Sequence, residues 1–193
     1  FTKITEGPHV TDLGNARLAS WGDYDNDGDL DLLVGRDRFA GMAGENTIYV
    51  NNVDGTFTSE TQGLPSTAMN YSVMTWADFD NDGWLDYFTV NYSGLPMVFS
   101  YNNGDDTFTQ ISLDLMPEPW HVAIIDYDRD GFLDLYVPNG NRLYRGLGDR
   151  RFERMTAAEV GTGILASTYA PSAWVDFDDD GWPDAFVDRK SVV

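Results

Sequence analysis

A chain of 193 residues that is 42% hydrophobic and 14% aromatic has the material for a packed core, so its formal charge of −20 belongs to a folded body and not to a disordered acidic tail. With 32 Asp and Glu against 12 Lys and Arg, and a pI near 4.1, it would repel a phosphate backbone; this excludes nucleic acid and leaves cations, neutral glycans and basic protein surfaces as partners. The lack of cysteine excludes disulfides, thiolate metal sites and cysteine nucleophiles, and no apolar run approaches the ~20 residues of a membrane helix.

In chain order, the opening Phe1-Thr-Lys-Ile-Thr5 reads as a strand, without an initiator Met or signal segment, as expected of a processed or excised product. An acidic loop then recurs four times: Asp23-Tyr-Asp-Asn-Asp-Gly-Asp-Leu-Asp31, Asp78-Phe-Asp-Asn-Asp-Gly-Trp-Leu-Asp86, Asp126-Tyr-Asp-Arg-Asp-Gly-Phe-Leu-Asp134 and Asp176-Phe-Asp-Asp-Asp-Gly-Trp-Pro-Asp184. The starts are spaced by 55, 48 and 50 residues, which makes the chain a repeat protein. Two residues before each loop stand Trp21, Trp76, Ile124 and Trp174. After the loops run Leu32-Leu-Val34, Tyr87-Phe-Thr-Val90, Leu135-Tyr-Val137 and Ala185-Phe-Val187. Such β-branched and aromatic flanks are strands.

A hairpin follows each of the first three loops: Ile48-Tyr-Val-Asn to Asp54-Gly-Thr-Phe57, Val98-Phe-Ser-Tyr to Asp106-Thr-Phe108, and Leu143-Tyr-Arg-Gly to Arg151-Phe152. Final strands start at Phe57, Phe108 and Phe152, and Phe1–Thr5 is their counterpart from a preceding unit. Each period thus carries about four short strands, the count of a propeller blade, and no segment keeps a helical apolar period. The expectation is a single all-β repeat domain over 1–193: residues 1–5 as the last strand of an earlier blade, full four-stranded antiparallel blades at 17–60, 70–112 and 118–156, and a partial blade at 168–193. Gly35 to Asn46 and Gly161 to Thr168 are expected as longer loops.

Asp at alternate positions, a Gly for the sharp turn and a further Asp wrap a short segment around one point with the hard oxygens that calcium prefers. Two carboxylates about 4 Å apart repel by ~4 kcal/mol at an effective dielectric near 20, and a divalent ion reverses that sign. Four Ca²⁺ sites are expected, each lying between the first two strands of a blade. Their carboxylates are Asp23, Asp25, Asp27 and Asp31 with the Asp29 carbonyl; Asp78, Asp80, Asp82 and Asp86 with the Trp84 carbonyl; Asp126, Asp128, Asp130 and Asp134 with the Phe132 carbonyl; and Asp176, Asp178, Asp180 and Asp184 with the Trp182 carbonyl. An EF-hand shares the opening but needs Glu at position twelve, where this chain has Val34, Thr89, Val137 and Val187.

The stretch Trp21-Gly-Asp-Tyr-Asp-Asn-Asp-Gly-Asp-Leu-Asp-Leu-Leu-Val34, its three later copies, Asn141-Arg-Leu-Tyr144 and Asp54-Gly-Thr-Phe57 with Thr58 together resemble the FG-GAP/VCBS repeat family, and within it the repeats of secreted ASPIC/UnbV-like proteins. The resemblance implies a β-propeller with a calcium loop between the first two strands of each blade, as in integrin α heads and several secreted bacterial proteins and lyases. The Phe-Gly/Gly-Ala-Pro signature is absent, so integrin-type ligand recognition does not carry over. Family propellers close with about seven blades. Three and two parts here leave a piece of a longer chain, two copies completing one ring, or subunits completing each other's blades in a filament.

No catalytic constellation stands out. His9 and His121 lie outside any nucleophile or zinc arrangement, and Glu60, Glu118, Glu153 and Glu159 form no pair. Trp21, Trp76, Trp174, Tyr24, Phe79, Tyr127 and Phe177 keep a fixed phase and are assigned to packing; the non-repeating Tyr71, Tyr92, Trp120 and Tyr169 are the recognition candidates. Asn70 and Asn91 fit the N-glycan acceptor pattern. The expectation is a non-enzymatic calcium-binding recognition, adhesion or structural module, located extracellularly, at the cell surface or in the periplasm, with glycan or protein ligands. Its rivals are a filament subunit that associates with itself and the non-catalytic scaffold of a secreted polysaccharide-active enzyme.

Overall fold

The computed structural model describes residues 5–12, 15–37, 45–61, 63–64, 71–91, 96–113, 121–138, 142–156 and 172–187. Most of the expected opening strand Phe1–Thr5, the 161–168 loop, Asn70, Tyr92, Glu118, Trp120, Glu159 and Tyr169 lie outside them, as do the side chains of Tyr71 and Asn91.

Among the described residues the strands form three four-stranded antiparallel sheets and one hairpin, each sheet ordered as its strands follow in the chain. The first comprises β1 (Asn15–Gly22), β2 (Asp31–Asp37), β3 (Thr47–Asn51) and β4 (Phe57–Glu60); the second β5 (Tyr71–Ala77), β6 (Asp86–Asn91), β7 (Met97–Asn102) and β8 (Phe108–Leu113). The third comprises β9 (Ala123–Ile125), β10 (Asp134–Val137), β11 (Arg142–Gly146) and β12 (Phe152–Arg154), and β13 (Ser172–Val175) pairs with β14 (Asp184–Val187). Among the described residues the fold is all-β apart from α1 (Pro8–Thr11), one turn started by Pro8 and closed by the Thr11 hydroxyl donating to the Gly7 carbonyl.

Register repeats as faithfully as sequence. Trp21 lies opposite Leu32, Trp76 opposite Tyr87, Ile124 opposite Leu135 and Trp174 opposite Ala185. Each acidic loop therefore leaves the first strand beside the ninth-position Asp, which opens the second. The later hairpin is also common to the three full sheets, closed by Asn52 N–H to Thr56 O, Asn103 N–H to Thr107 O and Leu147 N–H to Arg151 O at 2.9–3.0 Å. The inner strands are the buried ones, whereas β4, β8 and β12 are largely solvated.

The residues divide into two compact units, Phe1–Ala77 with Gly83–Glu118, and Asp78–Asp82 with Pro119–Val193. In the first, Tyr24, Leu33, Ile48, Met74, Trp76 and Tyr87 form the core where the first two sheets meet. Gly22 permits this approach, since a Cβ there would stand 2.7–2.8 Å from Leu85 and Trp76. Residues 35–37 extend β2 and so do not belong to the expected loop from Gly35 to Asn46. The buried Arg36 explains the difference: its N–H donates to the Asn46 side chain at 2.8 Å, and its guanidinium donates to the Glu45 carbonyl, Thr47 and Tyr49. In the second unit Leu135, Tyr136, Val137, Leu143 and Tyr144 are buried, and Trp174 stands edge-on to Tyr136 at 5.1 Å.

Candidate metal centres

Each acidic loop turns on two left-handed residues. The first is position four, Asn26, Asn81, Arg129 and Asp179, with φ of 57–62°; the second is the position-six glycine, Gly28, Gly83, Gly131 and Gly181, with φ of 87–95°. At Gly28, Gly83 and Gly131 a Cβ would meet nothing within 4 Å, so backbone conformation and not space selects glycine there.

That turn aims backbone N–H groups at the loop's own carboxylates. Gly28, Gly131 and Gly181 N–H donate to Asp23, Asp126 and Asp176 at 2.9–3.1 Å, and in the second loop Asp82 N–H donates to Asp78 at 3.2 Å. Asp29, Phe132 and Trp182 N–H donate to Asp27, Asp130 and Asp180 at 2.8–2.9 Å. The ninth-position Asp braces the loop against its sheet. One oxygen of Asp31, Asp134 and Asp184 accepts from the N–H of Tyr24, Tyr127 and Phe177. An oxygen of Asp31, Asp86 and Asp134 accepts from a third-strand N–H, that of Asn51, Asn102 and Gly146, at 2.8–2.9 Å.

Three carboxylates come together in every loop, with ligand atoms all within 4.8 Å of one another: Asp23, Asp25 and Asp27; Asp78, Asp80 and Asp86; Asp126, Asp128 and Asp134; Asp176, Asp178 and Asp184. Of the four carboxylates assigned to each loop from sequence, Asp31, Asp82, Asp130 and Asp180 are thus the ones left outside the group. The chain at Asp29, Trp84, Phe132 and Trp182, assigned through main-chain carbonyls, is seated by its side chains in three of the loops. Trp84 packs on Gly104 and Phe132 on Gly148, while the Arg129 guanidinium lies 5.4 Å over the Trp182 ring.

These groups carry unspent acceptor capacity. One oxygen each of Asp23, Asp80, Asp126, Asp128 and Asp176 is buried and accepts no hydrogen bond. Such an oxygen is costly unless a cation meets it. Burial, the largest cause, pushes Asp31 and Asp134 up to about 6 against the opposing pull of the backbone N–H groups, with neighbouring loop carboxylates adding to the rise. Asp25 is raised too, by burial first and by Asp27 and Asp23 after it. A divalent ion would invert that balance, and the donors fit calcium: oxygen alone, several per loop, with no sulfur or imidazole among them.

Two arginines escaped the sequence reading because nothing in the motif points to them. Arg150 donates from Nε to Asp80 Oδ2 at 2.8 Å, and Arg145 Nε lies 2.6 Å from Asp128 Oδ2. Each holds one oxygen of a third-position Asp and leaves the other, the unpartnered one, to the loop. The histidines stay clear of all this. His9 packs at 4.4 Å on the Phe57 ring, and His121 Nε2 is 3.3 Å from the Ser172 carbonyl.

Comparison with known proteins agrees with this geometry. The FG-GAP-like repeat family matches at residues 23–89 and 78–137, together more than half of the chain. Cartilage acidic protein 1 of Mus musculus is similar at 27% identity over 92 residues, 42% of this chain, and the chain spans 14% of that relative's length. On the strength of the repeats and the acid loops they carry, the chain belongs to the FG-GAP-like repeat family.

Proposed function

We propose that the chain is a calcium-stiffened module of an extracellular or surface protein, its sheets serving as blades of a propeller that presents loops for adhesion or recognition. The observation that carries this reading is the fourfold recurrence of three carboxylates within 4.8 Å, each group holding at least one Asp with an unpartnered buried oxygen: Asp23 in the first loop, Asp80 in the second, Asp126 and Asp128 in the third and Asp176 in the fourth. FG-GAP-like repeats are typical of extracellular and surface proteins, where calcium is abundant enough to fill loops of modest affinity. Among the described residues no helix is long and apolar enough to cross a membrane.

The Asp trios are assigned to metal and not to acid–base chemistry, because a carboxylate committed to a cation does not readily carry a proton. Filled sites would stabilise the fold by mass action, about 2.7 kcal/mol each at a hundredfold excess over Kd. Calorimetric titration of chelator-stripped protein with CaCl₂ is expected to show four sites, and a matched thermal melt to show a rise of roughly 10 °C or more. Absence of binding heat together with identical melts in calcium and chelator would overturn the reading.

A further inference from the structure

Two of the acidic loops are overlaid by the hairpin that joins the last two strands of the following sheet. Phe108, which opens β8, stacks on Tyr24 of the first loop at 6.3 Å, and Asn102 donates from its side chain to the Tyr24 carbonyl at 2.8 Å. Phe152, which opens β12, meets Phe79 of the second loop at 6.5 Å. Two places before each Phe stands a left-handed residue, Asp106 with φ of 62° and Arg150 with φ of 65°. The closing bonds from Asn103 N–H to Thr107 O and from Leu147 N–H to Arg151 O put these two at the same place in the turn.

That one place carries opposite charges. Arg150 Nε donates to Asp80 Oδ2 at 2.8 Å, and the Asp80 side chain is 9% exposed, its Oδ1 buried and without a donor. Asp80 is therefore half satisfied: its charge is met by the guanidinium, and one oxygen stays open to a cation. In the first loop the third-position Asp is Asp25, and the hairpin brings Asp106 to it. Burial first, and then neighbouring carboxylates that include Asp106, raise Asp25. The loops differ by themselves as well, with five Asp from Asp23 to Asp31 against four from Asp78 to Asp86. Asp106 brings the first to six acids, whereas Arg150 offsets one of the second loop's four, a contrast of three charges.

We infer that Asp106 and Arg150 set the calcium affinity of the loops they overlie, so that the first loop is a tight site and the second a weak one whose Asp80 is neutralised by the Arg150 guanidinium until the ion enters. The inference rests on the calcium reading of the loops and adds which of them fills first. Affinity for calcium follows the number of carboxylate charges at a site, and a fixed cation beside it opposes the ion. Arg150 also occupies Asp80 Oδ2, which leaves only Oδ1 for metal. The same contact has the opposite value in the empty loop, where it relieves the repulsion among Asp78, Asp80 and Asp86. A plain ion pair that merely fastened the hairpin would stabilise the fold equally with and without calcium.

The test is a CaCl₂ titration of the full chain, stripped with chelator, followed by two-dimensional NMR of the amides of the position-six glycines, each of which reports its own loop. In the wild type Gly28 is expected to respond at lower calcium than Gly83. R150Q, which keeps a hydrogen-bond donor and removes the charge, should tighten the Gly83 midpoint by about tenfold and leave Gly28 unchanged, while R150K, which keeps the charge, should stay within about threefold of the wild type. D106N, whose Asn also accepts the left-handed backbone, should weaken the Gly28 midpoint by about threefold and keeps the test open if R150Q misfolds. In chelator R150Q should melt about 2 °C or more below the wild type, with a smaller deficit in saturating calcium. If none of the four glycines responds to calcium, the calcium reading falls and this inference with it. Calcium binding in which Gly83 fills before Gly28, or keeps its midpoint in R150Q, overturns this inference alone, as does an equal melting deficit with and without calcium.

Discussion

The third and fourth acidic loops share a motif and a set of internal hydrogen bonds yet differ in what surrounds them. In both, the glycine N–H holds the first Asp, the position-seven N–H holds the fifth-position Asp, and the position-two N–H holds the ninth, at distances differing by no more than 0.2 Å from loop to loop. Both gather three carboxylates within 4.8 Å. But Asp134 is buried and also accepts the Gly146 N–H from β11, whereas Asp184 is exposed and has no such third-strand donor among the described residues. Loop shape is therefore local, written into nine residues, while the environment of the ninth Asp comes from the rest of the sheet.

The widest gap between the two loops should appear on deleting that ninth residue. Asp134→Ala leaves the Tyr127 and Gly146 N–H groups without their acceptor, the second of them in a buried setting, and is expected to cost about 2–4 kcal/mol. Asp184→Ala strands only the exposed Phe177 N–H and should cost less than about 1 kcal/mol. Urea denaturation of both variants in chelator, where metal plays no part, checks this. Equal losses would show that the third-strand brace contributes nothing.

This division also explains what could be read before the structure. The strands, their order in each sheet and the gathering of acids follow from patterns inside one repeat, where Asp, Gly and apolar residues recur at fixed offsets. The brace from Asp31, Asp86 and Asp134 to the third strand spans 12–20 residues and hinges on a backbone N–H, which has no residue signature. The Arg150–Asp80 contact spans 70 residues and occurs once, so no periodicity reveals it. The left-handed backbone of position four and its reach to the next loop depend on how successive loops lie together, which no pattern inside one loop states.

Burial of the ninth Asp also sets a pH dependence. Asp31 and Asp134 sit at about 6 in the fold against 3.8 as the ordinary value, so the folded protein holds protons that the unfolded chain has released. In chelator, stability is then greatest below pH 4 on this account and is lost as pH rises through 6, by ~1–2 kcal/mol in all. In saturating calcium the sign reverses at Asp134, which belongs to its loop's carboxylate group and must be deprotonated to bind, and the complex weakens as pH falls through 6. Melts at pH 5 and pH 7.5 with and without calcium should therefore move in opposite directions. Parallel movement would mean that the buried carboxylates and the metal do not compete for the same oxygens.

The smallest effect is the sharpest probe of whether neighbouring loops support one another. Asn81 and Asp179 have nearly the same left-handed φ, 59° and 60°, so glycine relieves the same backbone cost at either position. They differ in that Asn81 donates to the Gly131 carbonyl of the next loop, a bond that glycine cannot make. Asp179→Gly is expected to be neutral or stabilising by a few tenths of a kcal/mol, while Asn81→Gly should be destabilising by about 0.5–1 kcal/mol, because the lost hydrogen bond outweighs the relieved backbone. Paired urea titrations in calcium resolve a difference of that size. If the two substitutions behave alike, each acid loop stands by itself and the repeat is held together by its apolar faces alone.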